Sequence, residues 1–214
     1  MARIQAQVGA LLLLSLGCQR IKDEAPPALK PPIFTDKFDR AELGPDWRNT
    51  ASPGVYRLDQ GELVVKGARN HPLWLKKELP RDAVIEVDAW SRDVAGDIKV
   101  EAFGDGQSFA TTLSYTSSGY VFIQGGWQNR VTALCRMDEH APDRKAREDI
   151  KVEPGRRYHW LIARHGGVVE WFIDGKLAHR MDDGSPLEGA SHQYFGFDNW
   201  ETELHFDNLV VRPY

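Results

Sequence analysis

Cysteine is nearly absent from this chain of 214 residues, which carries two, Cys18 and Cys135. They could make one bridge at most, and their contexts point apart, so no disulfide framework organises the fold. Long apolar runs are missing too: the longest, residues 8–16, is too short for a comfortable membrane span. There is no nucleophile elbow, no phosphate-cradling glycine loop and no zinc-ligand spacing, so no metal ligand set and no cofactor motif is read. Internal repeats and long amphipathic helices are also lacking. The net charge of −4 gives no basic surface for nucleic acid.

What is present is the grammar of β-structure. Short runs of β-branched and aromatic residues recur, separated by glycine-containing breaks. Strands are expected at residues 33–39, 55–59, 62–66, 73–79, 83–90, 98–103, 109–115, 120–124, 158–164, 168–173 and 176–181. Gln60-Gly61, His165-Gly166-Gly167 and Asp174-Gly175 read as tight turns. The end of the chain, residues 194–197 and 204–211 around a polar connection, reads as a closing hairpin. The charged stretch 136–149 reads as a solvated loop, with room for one helical turn. The seven tryptophans are many for this length. In a β-sandwich they serve the core or a flat binding platform.

The N-terminus has another character. Arg3 and the apolar run 8–16 make a signal-peptide pattern over residues 1–17. Leu14-Ser15-Leu16-Gly17-Cys18 resembles the bacterial lipobox, which implies lipidation at Cys18. Residues 18–32, with four prolines, read as an extended tether, and 33–214 as the folded domain. The implied location is the bacterial cell envelope. Gln19 after the cysteine resembles outer-membrane sorting, so contact with the membrane is expected through the lipid only. Cys135 reads as an unpaired thiol covered in a strand.

Two fragments carry a resemblance to a known fold family. They are Phe206-Asp207-Asn208-Leu209-Val210-Val211 at the end, and Trp160…Ile162 followed by Val168…Trp171…Asp174-Gly175. Both resemble the concanavalin A-like lectin/glucanase jelly rolls, in the laminin-G-like branch. The resemblance implies an all-β, two-sheet antiparallel sandwich in which the last strand returns beside the first. It also implies a carbohydrate partner, with two alternatives: a glycoside-cleaving enzyme similar to the 3-keto-disaccharide hydrolase-like group, or a structural or protein-interaction domain of the envelope.

Glu86 and Asp88 share one face of a strand, the equipment of a glycosidase. Trp90 and Ser91, however, stand where laminarinase-like enzymes carry a further glutamate. Gly125-Gly126-Trp127-Gln128-Asn129 lets the backbone turn and present an indole. The expected ligand-binding set is Trp127, Asn129, Arg136, Glu139, His140, Trp200 and Glu201 around one depression at the edge or concave face. Glu139, His140, Glu86 and Asp88 are the acid–base candidates. A structural Ca²⁺ would use Asp207-Asn208 or Asp182-Asp183-Gly184, although Asp207-Asn208 is expected instead to hydrogen-bond a neighbouring turn.

Overall fold

The computed structural model describes residues 29–113 and 115–214, so residues 1–28, with Cys18 and most of the tether, lie outside it. Fifteen strands are assigned among the described residues. They are β1 (Phe34–Asp36), β2 (Trp47–Asn49), β3 (Tyr56–Asp59), β4 (Glu62–Lys66), β5 (Leu73–Leu75), β6 (Ala83–Ser91), β7 (Ile98–Gly104) and β8 (Tyr120–Gly125). The remainder are β9 (Val131–Arg136), β10 (Lys145–Arg147), β11 (Tyr158–His165), β12 (Val168–Ile173), β13 (Lys176–Asp182), β14 (Tyr194–Asp198) and β15 (Glu203–Pro213). One sheet runs β13-β12-β11-β6-β15-β4-β3, with β1 on β15; the other runs β10-β9-β8-β7-β14-β5-β2. Every pairing is antiparallel, as the jelly-roll reading implied, and the last strand does lie beside the first, Phe34 opposite Val211.

Alternation builds the core. On β6, Ala83, Ile85, Val87 and Ala89 point between the sheets, where they meet Trp160, Ile162, Phe122 and Phe206. Trp160 and Trp171 pack edge to face at 4.5 Å. Trp47, Trp74, Trp160 and Trp171 are buried; Trp90, Trp127 and Trp200 are half-buried. The short turns fall where glycine and local chemistry put them. Gln60 and Gly61, and Asp174 and Gly175, have φ of 51° and 79°, and 51° and 74°, the left-handed pairs that a two-residue hairpin needs.

Four expectations change. The segments at 194–197 and 204–211 are not a hairpin: β14 belongs to one sheet and β15 to the other, so residues 199–202 form an arch between the layers. Residues 109–113 and 115 form no strand; with residues 105–108 and 116–119 they make an irregular segment laid over the second sheet. The strand begun at Leu73 stops at Leu75. The charged stretch after Arg136 contributes the edge strand β10.

Candidate functional site

The outer face of the second sheet is built by every other residue of its strands. On β7 these are Lys99 and Glu101, on β14 Gly196 and Asp198, and on β8 Val121 and Ile123. Lys99 sits directly opposite Asp198, and Glu101 opposite Gly196. Half of this face is filled. Trp74 lies flat against Gly196, where an added Cβ would approach the ring to 2.8 Å, and its indole N–H donates to the Ser108 carbonyl at 2.9 Å. Ser108 covers Trp74, and Tyr115 and Ser117 cover Glu101. The other half is open, a cleft of about 800 Å³.

Two tryptophans flank the cleft. Trp127 comes from a single left-handed turn, Gly126–Asn129, with φ of 52° at Trp127 and 63° at Gln128, and Asn129 follows at 58°. Non-glycine residues in this region cost about 1–2 kcal/mol each, so the turn must be held from outside. Asn129 holds it. Its amide oxygen accepts the Val152 N–H at 2.8 Å, and its amide nitrogen donates to the carbonyls of Val152 at 2.8 Å and Val94 at 3.2 Å. Trp200 comes from the β14–β15 arch. There Asn199 accepts the Ala68 N–H at 3.0 Å and donates to the Thr202 carbonyl at 2.7 Å. Each indole is backed by a guanidinium, Arg144 at 4.7 Å from Trp127 and Arg69 at 5.7 Å from Trp200.

The floor is charged. Lys99, 3% exposed, donates to Asn70 at 2.6 Å and to Glu139 at 2.7 Å, and lies 3.2 Å from Asp198, which is 0% exposed. Burial works against the Lys99 ammonium, but Asp198, Glu139 and Asp97 outweigh it and hold its pKa above the lysine range. Burial pushes Asp97 up to about 7, with Glu139 and Asp198 adding to the effect and Lys99 opposing it. Burial likewise raises Glu101, helped by Asp198, against the hydroxyl of Ser117, which bonds it closely, and the charge of Lys99.

Of the residues expected to meet, Trp127, Glu139, His140, Trp200 and Glu201 all line the cleft. His140 is edge-on to Trp127 at 5.8 Å, with Nε2 3.6 Å from Glu139. Asn129 and Arg136 do not line it. Asn129 lies behind the turn. Arg136 projects toward the other sheet, donating to Asp183 at 2.9 Å and the Ser185 carbonyl at 2.9 Å, because alternation on β9 sends it inward with Leu134. Glu86 and Asp88 are on the outer face of the first sheet, away from the cleft. There Glu86 binds Arg212 at 2.8 Å, and Asp88 binds His159 at 2.9 Å and Asn208 at 2.9 Å. Asp207 and Asn208 form a bulge in β15, with Asn208 at φ 52°. Among the described residues, no group of three or more His, Cys, Asp or Glu is placed to hold a metal ion.

Asn70, Asp97, Lys99, Glu101 and Asp198 escape sequence reading. Ile98-Lys99-Val100-Glu101-Ala102 alternates as plainly as residues 83–90, and that alternation was the available signal. Only the sheet pairing tells which charged face is buried.

No family model matches the chain, and no curated protein sequence matches it. Solved structures do. Carbohydrate-binding module CBM66 from Bacillus subtilis aligns with a TM-score of 0.58 and 14% identity, over 78% of this chain and 95% of that one. A laminarinase from Flavobacterium sp. UMI-01 aligns at 0.60 and 10%, over 85% and 100%. A family GH16 endo-β-1,3(4)-glucanase, co-crystallised with an oligosaccharide at its active site, aligns at 0.61 and 13%, over 90% and 98%. The fold is the concanavalin A-like jelly roll.

Proposed function

We propose that the cleft on the second sheet binds carbohydrate. One observation carries the reading: two half-buried indoles, Trp127 and Trp200, stand over a floor of carboxyl and amide groups in a cleft of about 800 Å³. An indole face covers the apolar side of a sugar ring while acceptors below take its hydroxyls. The neighbours on this fold, a carbohydrate-binding module and glucanases, support it. Calorimetric titration with a panel of oligosaccharides tests it. Trp127→Ala and Trp200→Ala should each weaken binding about tenfold or more, about 1–3 kcal/mol for a lost buried side chain, while the fold persists. Unchanged binding in both variants would remove the cleft from the reading.

A second reading is cleavage of a glycoside, and Asp97 and Glu139 favour it. A carboxyl held up to about 7 beside another carboxylate on one cleft is a fit acid–base pair. Under this reading Glu139→Gln abolishes turnover and keeps binding, and a hydrolysis screen that finds no product leaves binding alone. The domain is further proposed to hang from the envelope through a lipid on Cys18 and the tether to residue 32. Labelling with a palmitate analogue should mark the protein and not Cys18→Ala.

A further inference from the structure

We infer that the cleft selects a glycan bearing a free amino group, an unacetylated hexosamine whose ammonium seats against Glu139 and Asp97. This rests on the carbohydrate reading and specifies its ligand. Among the described residues that line the cleft, Lys99 is the one buried cation, and its ammonium is already committed to Asn70, Glu139 and Asp198 at 2.6, 2.7 and 3.2 Å. It faces four carboxyls: Asp97, Glu101, Glu139 and Asp198. Positive charge is therefore short.

The shortage shows in the side chains. Asp198, fully buried on the cleft side of β14, is met by one cation, Lys99 at 3.2 Å, which it shares with Glu139, and Glu101 keeps one oxygen unpartnered. Such groups are costly in a protein interior unless charge from elsewhere compensates them. Burial and mutual repulsion hold Asp97, Glu101 and Asp198 above the ordinary carboxylate range, as expected of an under-compensated cluster.

The acceptors open onto the cleft. Among the described residues, the second oxygen of Glu139 meets only the His140 ring, at 3.6 Å. Asp97 takes the backbone N–H of Trp200. Cations at the rim are engaged: Arg69 with Glu201 at 2.9 Å, Arg144 with the Glu139 carbonyl at 2.9 Å, Arg130 with the Trp127 carbonyl at 2.8 Å. A ligand with donors and positive charge gains here, and a uronic acid brings a second anion to an anionic floor. The indoles supply the stacking that makes the cation's carrier a sugar ring.

The test uses the full chain, titrated calorimetrically at low salt. The probes are glucosamine and galactosamine, as monosaccharides and short β-linked oligomers, each with its N-acetylated counterpart, and oligogalacturonate. The expected result is binding of an amine form about tenfold or more tighter than its acetylated form, no binding of oligogalacturonate, and loss of the preference in both Glu139→Gln and Asp97→Asn. Trp127→Ala should weaken amine and acetylated forms together. Equal or tighter binding of the acetylated forms overturns the inference and leaves the carbohydrate reading standing. Amine binding that Trp127→Ala leaves unweakened overturns it as general attraction of a cation to an acidic protein. If no saccharide binds, both readings fall.

Discussion

Lys99 on β7 and Asp198 on β14 are direct cross-strand partners, with the ammonium 3.2 Å from the carboxylate and almost no solvent at either. The pair joins the middle of the second sheet to the arch that carries Trp200. Removing one partner of a buried ion pair leaves an uncompensated charge and costs about 3–5 kcal/mol. Lys99→Met should therefore lower stability by about that amount in urea unfolding. Lys99→Met with Asp198→Leu should recover part of it, because the orphaned carboxylate goes too.

Asn129 is predicted to govern the shape of the Trp127 turn rather than to touch ligand. Asn129→Ala removes three hydrogen bonds that hold three consecutive left-handed residues. It should cost about 1–3 kcal/mol and weaken sugar binding as much as Trp127→Ala. Amide exchange localised to residues 125–130 and 152 distinguishes it from general loosening.

Asp97 sets a pH dependence. Its carboxyl titrates near 3.8 when free and at about 7 in the folded protein, so between those values the folded state holds the extra proton. Stability therefore falls as pH rises through that window. Asp97→Asn removes this contribution. Melting temperatures from about pH 5 to about pH 8 should show the variant gaining relative to wild type as pH rises. A constant difference would contradict the assignment.

Cys135 is buried on the outer face of β9 beside the Glu139 carbonyl, and burial, with the nearby charge of Glu139, pushes its thiol up to about 12. Little thiolate exists at neutral pH. Disulfide-exchange reagents should react slowly with the native protein and quickly after unfolding. Fast native reaction would place the thiol at an open surface.

Much of the fold was legible because its signals are local. The Gln60-Gly61 and Asp174-Gly175 turns need only two residues to be recognised and mark β4 and β12, and alternation marked β6, each nearly to the residue. The arch at 199–202 was not legible as an arch. A polar connection between two apolar strands reads the same whether the strands pair or part. What separates them is Asn199 bonding to Ala68, far away in sequence. Residues 109–115 read as a strand, yet Ser108, Tyr115 and Ser117 bond Trp74 and Glu101 and lie over the sheet as a cover. The candidate site was half legible for the same reason. Trp127 and Trp200 announce themselves by the glycines and polar residues around them. Lys99, Glu101 and Asp198 look like any solvated strand face until β7 and β14 pair, whereas Glu86 and Asp88, with the same pattern, land on the other sheet.

The most direct measurement follows the seven indole N–H resonances of the chain during saccharide titration. The account predicts that Trp127 and Trp200 shift together with one affinity. Trp90, stacked on His205 at 3.9 Å on the outer face of the first sheet, should stay still. Shifts at Trp90 with none at Trp127 and Trp200 would move binding to the opposite face and contradict the cleft as the site.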